Sequence, residues 1–275
     1  MIDSLHKLQL TKGFYVDLSQ IARMLAYSVQ WDRPSRMPAR EFAGGIGVSP
    51  SRVLSLASLG VAFGLLRPIV LTASRLGMVI HRHDAYLDDL GTLWLMHYVI
   101  GSNERHVVWN RLVNRVIPEN QRLSTAIARP YFDDLAQFYS ERTMDKHLRK
   151  ELSAVWNAYT EQAFAHLDYL RAESEQIYVH GDRAPIPPLI FLAAVLLYRE
   201  RHAPNAATID IPVLASGANS PGRVFGITQR QVRDLLDAAR ARGGIYVESR
   251  ADLDQVRLPP DRSFLDTVRQ YYEER

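Results

Sequence analysis

Apolar residues recur at helical spacing along most of the chain, interrupted by a few short β-branched runs. Between residues 14 and 31, Val16, Leu18, Ile21, Met24, Leu25 and Val29 predict an amphipathic helix. A second helix is expected to open at Pro38, where the missing N–H costs nothing, and to stop in a tight turn at Gly44, Gly45 and Gly47. Ser49 as N-cap and Pro50 at the first position then start a third helix. Its apolar stripe is read as Val53, Leu54, Leu56, Ala57 and Leu59, which leaves Ser51, Arg52, Ser55 and Ser58 largely facing outward. The β-branched run from Ile69 to Leu71 fits a wing strand, and Thr72 a helix cap. That order is a helix-turn-helix followed by a wing.

The middle of the chain, from Leu93 to about Tyr178, is helical by period, with breaks at Pro118 and Pro130. Leu148, Leu152, Val155, Trp156, Tyr159, Phe164 and Leu167 form a core stripe on its longest helix. A Pro-rich linker at residues 179–188 marks a boundary, and the first pattern then returns. Leu189 to Tyr198 is an apolar helix, residues 207–211 a short strand, and Thr228 caps a helix to about Arg242. Residues 245–248 and 255–258 can pair as a hairpin. The predicted fold is therefore mainly α, with two winged-helix units joined by a helical middle region. Their expected bounds are 1–90 for the first winged helix, 91–180 for the connector and 186–275 for the second winged helix.

Charge gives this pattern a direction. Residues 33–82 hold seven arginines, namely Arg33, Arg36, Arg40, Arg52, Arg67, Arg75 and Arg82, against Glu41 alone, a local balance of +6 in a chain of net +3. A helix whose outer side is small, polar and basic can enter a major groove while flanking arginines meet phosphates. Arg33, Arg36, Arg40, Ser51, Arg52, Ser55 and Arg75 are the DNA-contact candidates of the first unit. In the second they are Arg223, Gln229, Arg230, Arg233 and Arg240, diluted by Asp234, Asp237, Asp252 and Asp254. Arginine supplies twenty-nine of the thirty-three basic residues, which suits phosphate and guanine contacts but also follows from GC-rich coding.

The chemistry that is missing narrows the function. With no cysteine there are no disulfides, thiol nucleophiles or cysteine-built zinc sites. No Walker loop or dinucleotide fingerprint is found, and Gly44 to Gly47 is too short for a phosphate loop. The cluster His81, His83, Asp84, Asp88 and Asp89 begins like a metallo-hydrolase motif, but no further histidine follows at the expected place. Its aspartates read better as caps for a helix from Gly91 to Ile100, and His97 as a packed core histidine. No metal, cofactor or catalytic residue is expected. Without a long apolar run, no signal peptide or membrane span is expected either, and a cytoplasmic address follows.

Two segments carry a resemblance. Asp84 to Tyr98 and Asn219 to Phe225, with Gly243, Gly244 and Leu253 to Leu258, resemble a bacterial family catalogued only as a domain of unknown function. Its members are encoded beside Dnd-type DNA phosphorothioation genes and other phage-defence genes. The resemblance implies a role in DNA modification or defence and brings no catalytic residues. Other members tend to begin with a His-Glu-Thr-Phe type segment, of which Leu5 to Leu10 here keeps at most His6. The expected protein is a non-enzymatic binder of double-stranded DNA working with other defence or DNA-modification proteins, with a homodimer left open. The competing readings are a subunit whose winged helices dock proteins and a metal-dependent nuclease built on the His81–Asp89 cluster.

Overall fold

The computed structural model describes residues 8–31, 39–250 and 253–275. The chain divides into two compact units, Met1–Ala184 and Pro185–Arg275. The helices before residue 90 and those of the middle region therefore belong to one unit.

In the first unit, α1 (Leu18–Gln30) is capped by Asp17, whose carboxylate accepts from the Gln20 N–H. Helix α2 (Ala39–Ile46) runs through Gly44 and Gly45 and ends at Gly47, with φ +68°. Pro38, the expected first residue, lies outside the described residues. Helix α3 (Pro50–Ala62) begins as the sequence indicates, with Ser49 accepting from the Arg52 N–H. Helix α4 (Arg75–His83) is capped by Ser74 and not by Thr72. The expected wing strand does not form: one bridge, Leu66 to Ala73, closes a turn in which Ile69 and Leu71 take φ of +72° and +57°. A run too short to pair along its length has folded back on itself.

Helix α5 (Leu90–Gly101) is apolar on all sides, and every residue from Gly91 onward is buried. Such a helix can only be central. Asp89 caps it by accepting from the Thr92 N–H at 2.9 Å, while Asp84 accepts from the Asp88 and Asp89 N–H groups. Helix α6 (Val107–Arg111), continued by a π turn at Leu112–Val116 and by Ile117–Glu119, packs on α5, and α7 (Thr125–Ala128) packs on α8 (Arg149–Thr160). His97 is fully buried, with Nδ1 2.6 Å from the Tyr159 hydroxyl.

Helix does not continue to Tyr178. Asp168 enters the left-handed region and stops it, and β2 (Leu170–Ser174) and β3 (Ile177–His180) form a hairpin joined by β1 (Arg122–Leu123), in the order β1-β3-β2. Beyond Leu170, β2 is exposed and polar, so it lacks the alternation that announces a strand. Gly181 is required here, because a Cβ would lie 2.0 Å from the Asp168 carbonyl oxygen.

The second unit is built on α9 (Pro188–His202), buried from Leu189 to Arg199. Next come β4 (Thr208–Asp210), α10 (Ile211–Ser216), α11 (Pro221–Phe225) and α12 (Gln229–Gly243). The hairpin of β5 (Tyr246–Arg250) and β6 (Leu253–Arg257) and a last helix, α13 (Phe264–Glu273), complete the unit. The three strands are antiparallel in the order β4-β6-β5, with Val247 opposite Val256 and Ile209 also opposite Val256. Thr228 and Gln231 form a reciprocal capping box at the start of α12.

Candidate nucleic-acid interface

Helix α12 opens with its capping box, in which the Gln231 N–H donates to the Thr228 hydroxyl and the Thr228 N–H to the Gln231 side chain. Val232, Leu236 and Ala239 are buried, which turns Arg230, Asp234, Asp237 and Arg240 outward. Arg230 and Arg240 are exposed on this face. Gln229 and Arg233 instead converge on one carboxylate of the hairpin. Gln229 Nε2 donates to Asp254 Oδ2 at 2.9 Å, and Arg233 Nη2 is 2.6 Å from Asp254 Oδ1. These two contacts hold α12 to β6. Arg223 is half-buried and donates to the Ser216 carbonyl at 2.8 Å, closing α11 onto α10. On the hairpin, Arg257 pairs with Glu248 at 3.2 Å and Tyr246 is 59% exposed.

The first unit presents a different surface. Arg33 and Arg36 lie outside the described residues. Arg40, Ser51 and Arg75 are exposed. Arg52 and Ser55 are not: they are 8% and 0% exposed, and Leu54, read as core, is 41% exposed. The buried side of α3 therefore keeps Val53, Leu56, Ala57 and Leu59 of the expected stripe, loses Leu54 and gains Arg52 and Ser55. The physical reason is a ready partner for the guanidinium. Arg52 Nε donates to Gln20 Oε1 at 2.6 Å, and the group lies 5.1 Å from the centre of the Phe14 ring. Burial lowers its pKa from the ordinary arginine value, against the opposing charge of Asp17. Arg52 is thus corrected from a groove-reading residue to a packing residue of the α1–α3 interface, and Ser55 from a groove-reading residue to a buried one.

The His81–Asp89 cluster resolves into the capping contacts of Asp84 and Asp89. Among the described residues, no group of three or more His, Asp or Glu is placed to hold a metal ion. No single helix among them is long and apolar enough to cross a membrane. Asp254, counted in the sequence only as dilution of charge, is the residue on which Gln229 and Arg233 converge. That contact joins residues 25 apart in the chain, so the local pattern carries no signal for it.

Fold and surface together define a mainly helical protein of two units, each with a small three-stranded antiparallel sheet. The chain belongs to the family described as Protein of unknown function (DUF4007), which matches residues 60–272. Both segments that carried the sequence resemblance lie inside that span. A search of curated proteins gives no match to the chain. Two solved structures share the fold. "Magnesium ion-bound SspB crystal structure" has a TM-score of 0.81 and 17% identity, over 96% of this chain and 87% of that one. "SspB crystal structure" has a TM-score of 0.82 and 16% identity, over 98% and 89%.

Proposed function

We propose that the protein binds duplex DNA as a non-catalytic, cytoplasmic component of a bacterial DNA-modification or phage-defence system of the phosphorothioation type. The family resemblance and the fold shared with SspB support the setting. The observation that carries DNA binding is the second unit, whose helix, strand, helices and hairpin follow one another as in a winged helix. In this reading α12 is the recognition helix: Arg230 and Arg240 meet phosphates or base edges, and the hairpin flanks them. The proposed DNA-contacting unit is thus the second, because α3 of the first turns Arg52 inward.

Binding is tested by salt titration on duplex DNA with and without phosphorothioate linkages. Four to six phosphate contacts give a slope of about −4 to −5 in log affinity against log salt. A slope near zero overturns the reading.

One observation favours a second reading. A structure of the same fold carries a magnesium ion, and a magnesium-dependent nuclease would act on the DNA it binds. Incubating supercoiled plasmid with the protein and Mg²⁺ separates the two. The first reading expects intact plasmid, and nicking that EDTA abolishes establishes the second.

A further inference from the structure

We propose that the groove between α3 and the turn at residues 67–72 is a docking site for an acidic amphipathic segment of a partner protein, independent of DNA binding. Its cavity is about 210 Å³ and is walled by Leu54, Ala57 and Val61 of α3 and by Pro68, Ile69 and Leu71 of the turn. Ile69 is 77% exposed and Leu54 41%, so large apolar groups stand in water at its mouth. The turn is fixed in this shape: the Arg67 N–H donates to the Thr72 carbonyl at 2.8 Å, and the Leu71 N–H to the Arg67 carbonyl at 3.1 Å. It holds Ile69 at φ +72°, a conformation that a β-branched residue adopts only at a cost. An exposed isoleucine kept at backbone strain gains nothing for the fold. It gains when a partner covers it.

Charge selects the occupant. Lys12 lines the groove, and Arg40 and Arg67, both exposed, adjoin its lining residues Ala39 and Pro68; Glu41 is the only acid on α2. A second copy of the chain would bring the same basic rim against this one. The segment Asp32 to Pro38 carries two arginines against one aspartate and is likewise mismatched. Duplex DNA suits the rim but has no use for the apolar floor. A helix with leucines at i and i+3 or i+4 and acids elsewhere satisfies both.

The test uses the full chain and two fluorescent helical peptides of about 18 residues with leucines at helical spacing, one otherwise rich in glutamate and the other in lysine. Anisotropy at low salt is expected to show the glutamate peptide binding about tenfold more tightly or better. Ile69→Asp should weaken it about tenfold with an unchanged circular dichroism spectrum, because the side chain is exposed. Arg40→Glu with Arg67→Glu should reverse the preference between peptides. Equal binding of the two peptides, or indifference to Ile69→Asp, overturns the proposal. So does self-association of the chain that Ile69→Asp abolishes, which would make a second copy the occupant. Duplex DNA binding that is lost with Ile69→Asp would assign the groove to nucleic acid.

Discussion

Glu151 is a carboxylate with no exposure to solvent, held by donors that include Thr11 and Trp109. The Thr11 N–H and hydroxyl donate to Oε2 at 3.1 and 2.7 Å, and the Trp109 indole N–H to Oε1 at 3.1 Å. It joins the segment before α1 to α6 and α8. Burial raises its pKa above the ordinary 4.5, more strongly than these hydrogen bonds lower it. A raised folded pKa means that the folded chain binds the proton more tightly than the unfolded one. The stabilising contribution is therefore full below pH 4.5 and is lost as pH rises through the folded value. Denaturant titrations of wild type and Glu151→Gln should show wild type losing ground to the variant as pH rises from about 4 towards neutral. A gap that widens in the other direction would refute the assignment. Glu151→Ala should cost about 3 kcal/mol at neutral pH, since it leaves buried donors on Thr11 and Trp109 unanswered. Arg52 belongs to the same class of buried charge. Arg52→Ala should lower the melting temperature, and a lowered DNA affinity in that variant would report folding and not contact.

The segment Asn219 to Phe225, one of the two that carried the family resemblance, owes its composition to a helix–helix corner. Asn219 takes φ +60°, Ser220 caps α11, and Pro221 occupies its first turn. Gly222 lets α11 approach α10, because a Cβ there would lie 2.6 Å from the Ala215 Cα and 2.7 Å from the Leu214 carbonyl oxygen. Gly222→Ala should therefore destabilise the protein by about 2 kcal/mol or more, read as a fall in denaturation midpoint; a neutral result would show that the corner can open. On α12 the expectation is about function. Asp254→Asn removes a negative charge from the proposed DNA face and loosens its hold on Gln229 and Arg233. Affinity for duplex DNA should rise about fivefold at low salt. A fall would make Asp254 a brace that the interface needs. Elements with their own caps were legible in the chain, such as α3 at Ser49, α5 at Asp89 and α12 at Thr228. What stayed hidden depended on partners far away in sequence. The polar strand β2 forms by pairing with β3, and the inward turn of Arg52 depends on Gln20 and Phe14, which the local period of Val53 to Leu59 does not register.

At the scale of the molecule the arginines fall into two populations. In the first unit Arg40 and Arg75 are exposed, but the helix between them offers Ser51 and Leu54 to solvent and buries Arg52. In the second, Arg230 and Arg240 share the outward face of one helix beside a hairpin. Net charge of the two segments favours the first, with +6 over residues 33–82, yet a phosphate backbone is met by side chains that reach it together. Removing two direct contacts should flatten the salt slope by about 2 in log–log units, whereas removing two charges that act only through the long-range field changes affinity modestly at low salt and barely alters the slope at high salt. Arg230→Ala with Arg240→Ala should therefore flatten the slope by about that amount and weaken all duplexes alike, while Arg40→Ala with Arg75→Ala should leave most of it in place. Both variants remove exposed side chains, and matching circular dichroism spectra would confirm that each is folded. If the second pair flattens the slope and the first does not, the DNA-contacting surface lies on the first unit, despite the burial of Arg52. The C-terminal hairpin would then be free for a partner protein.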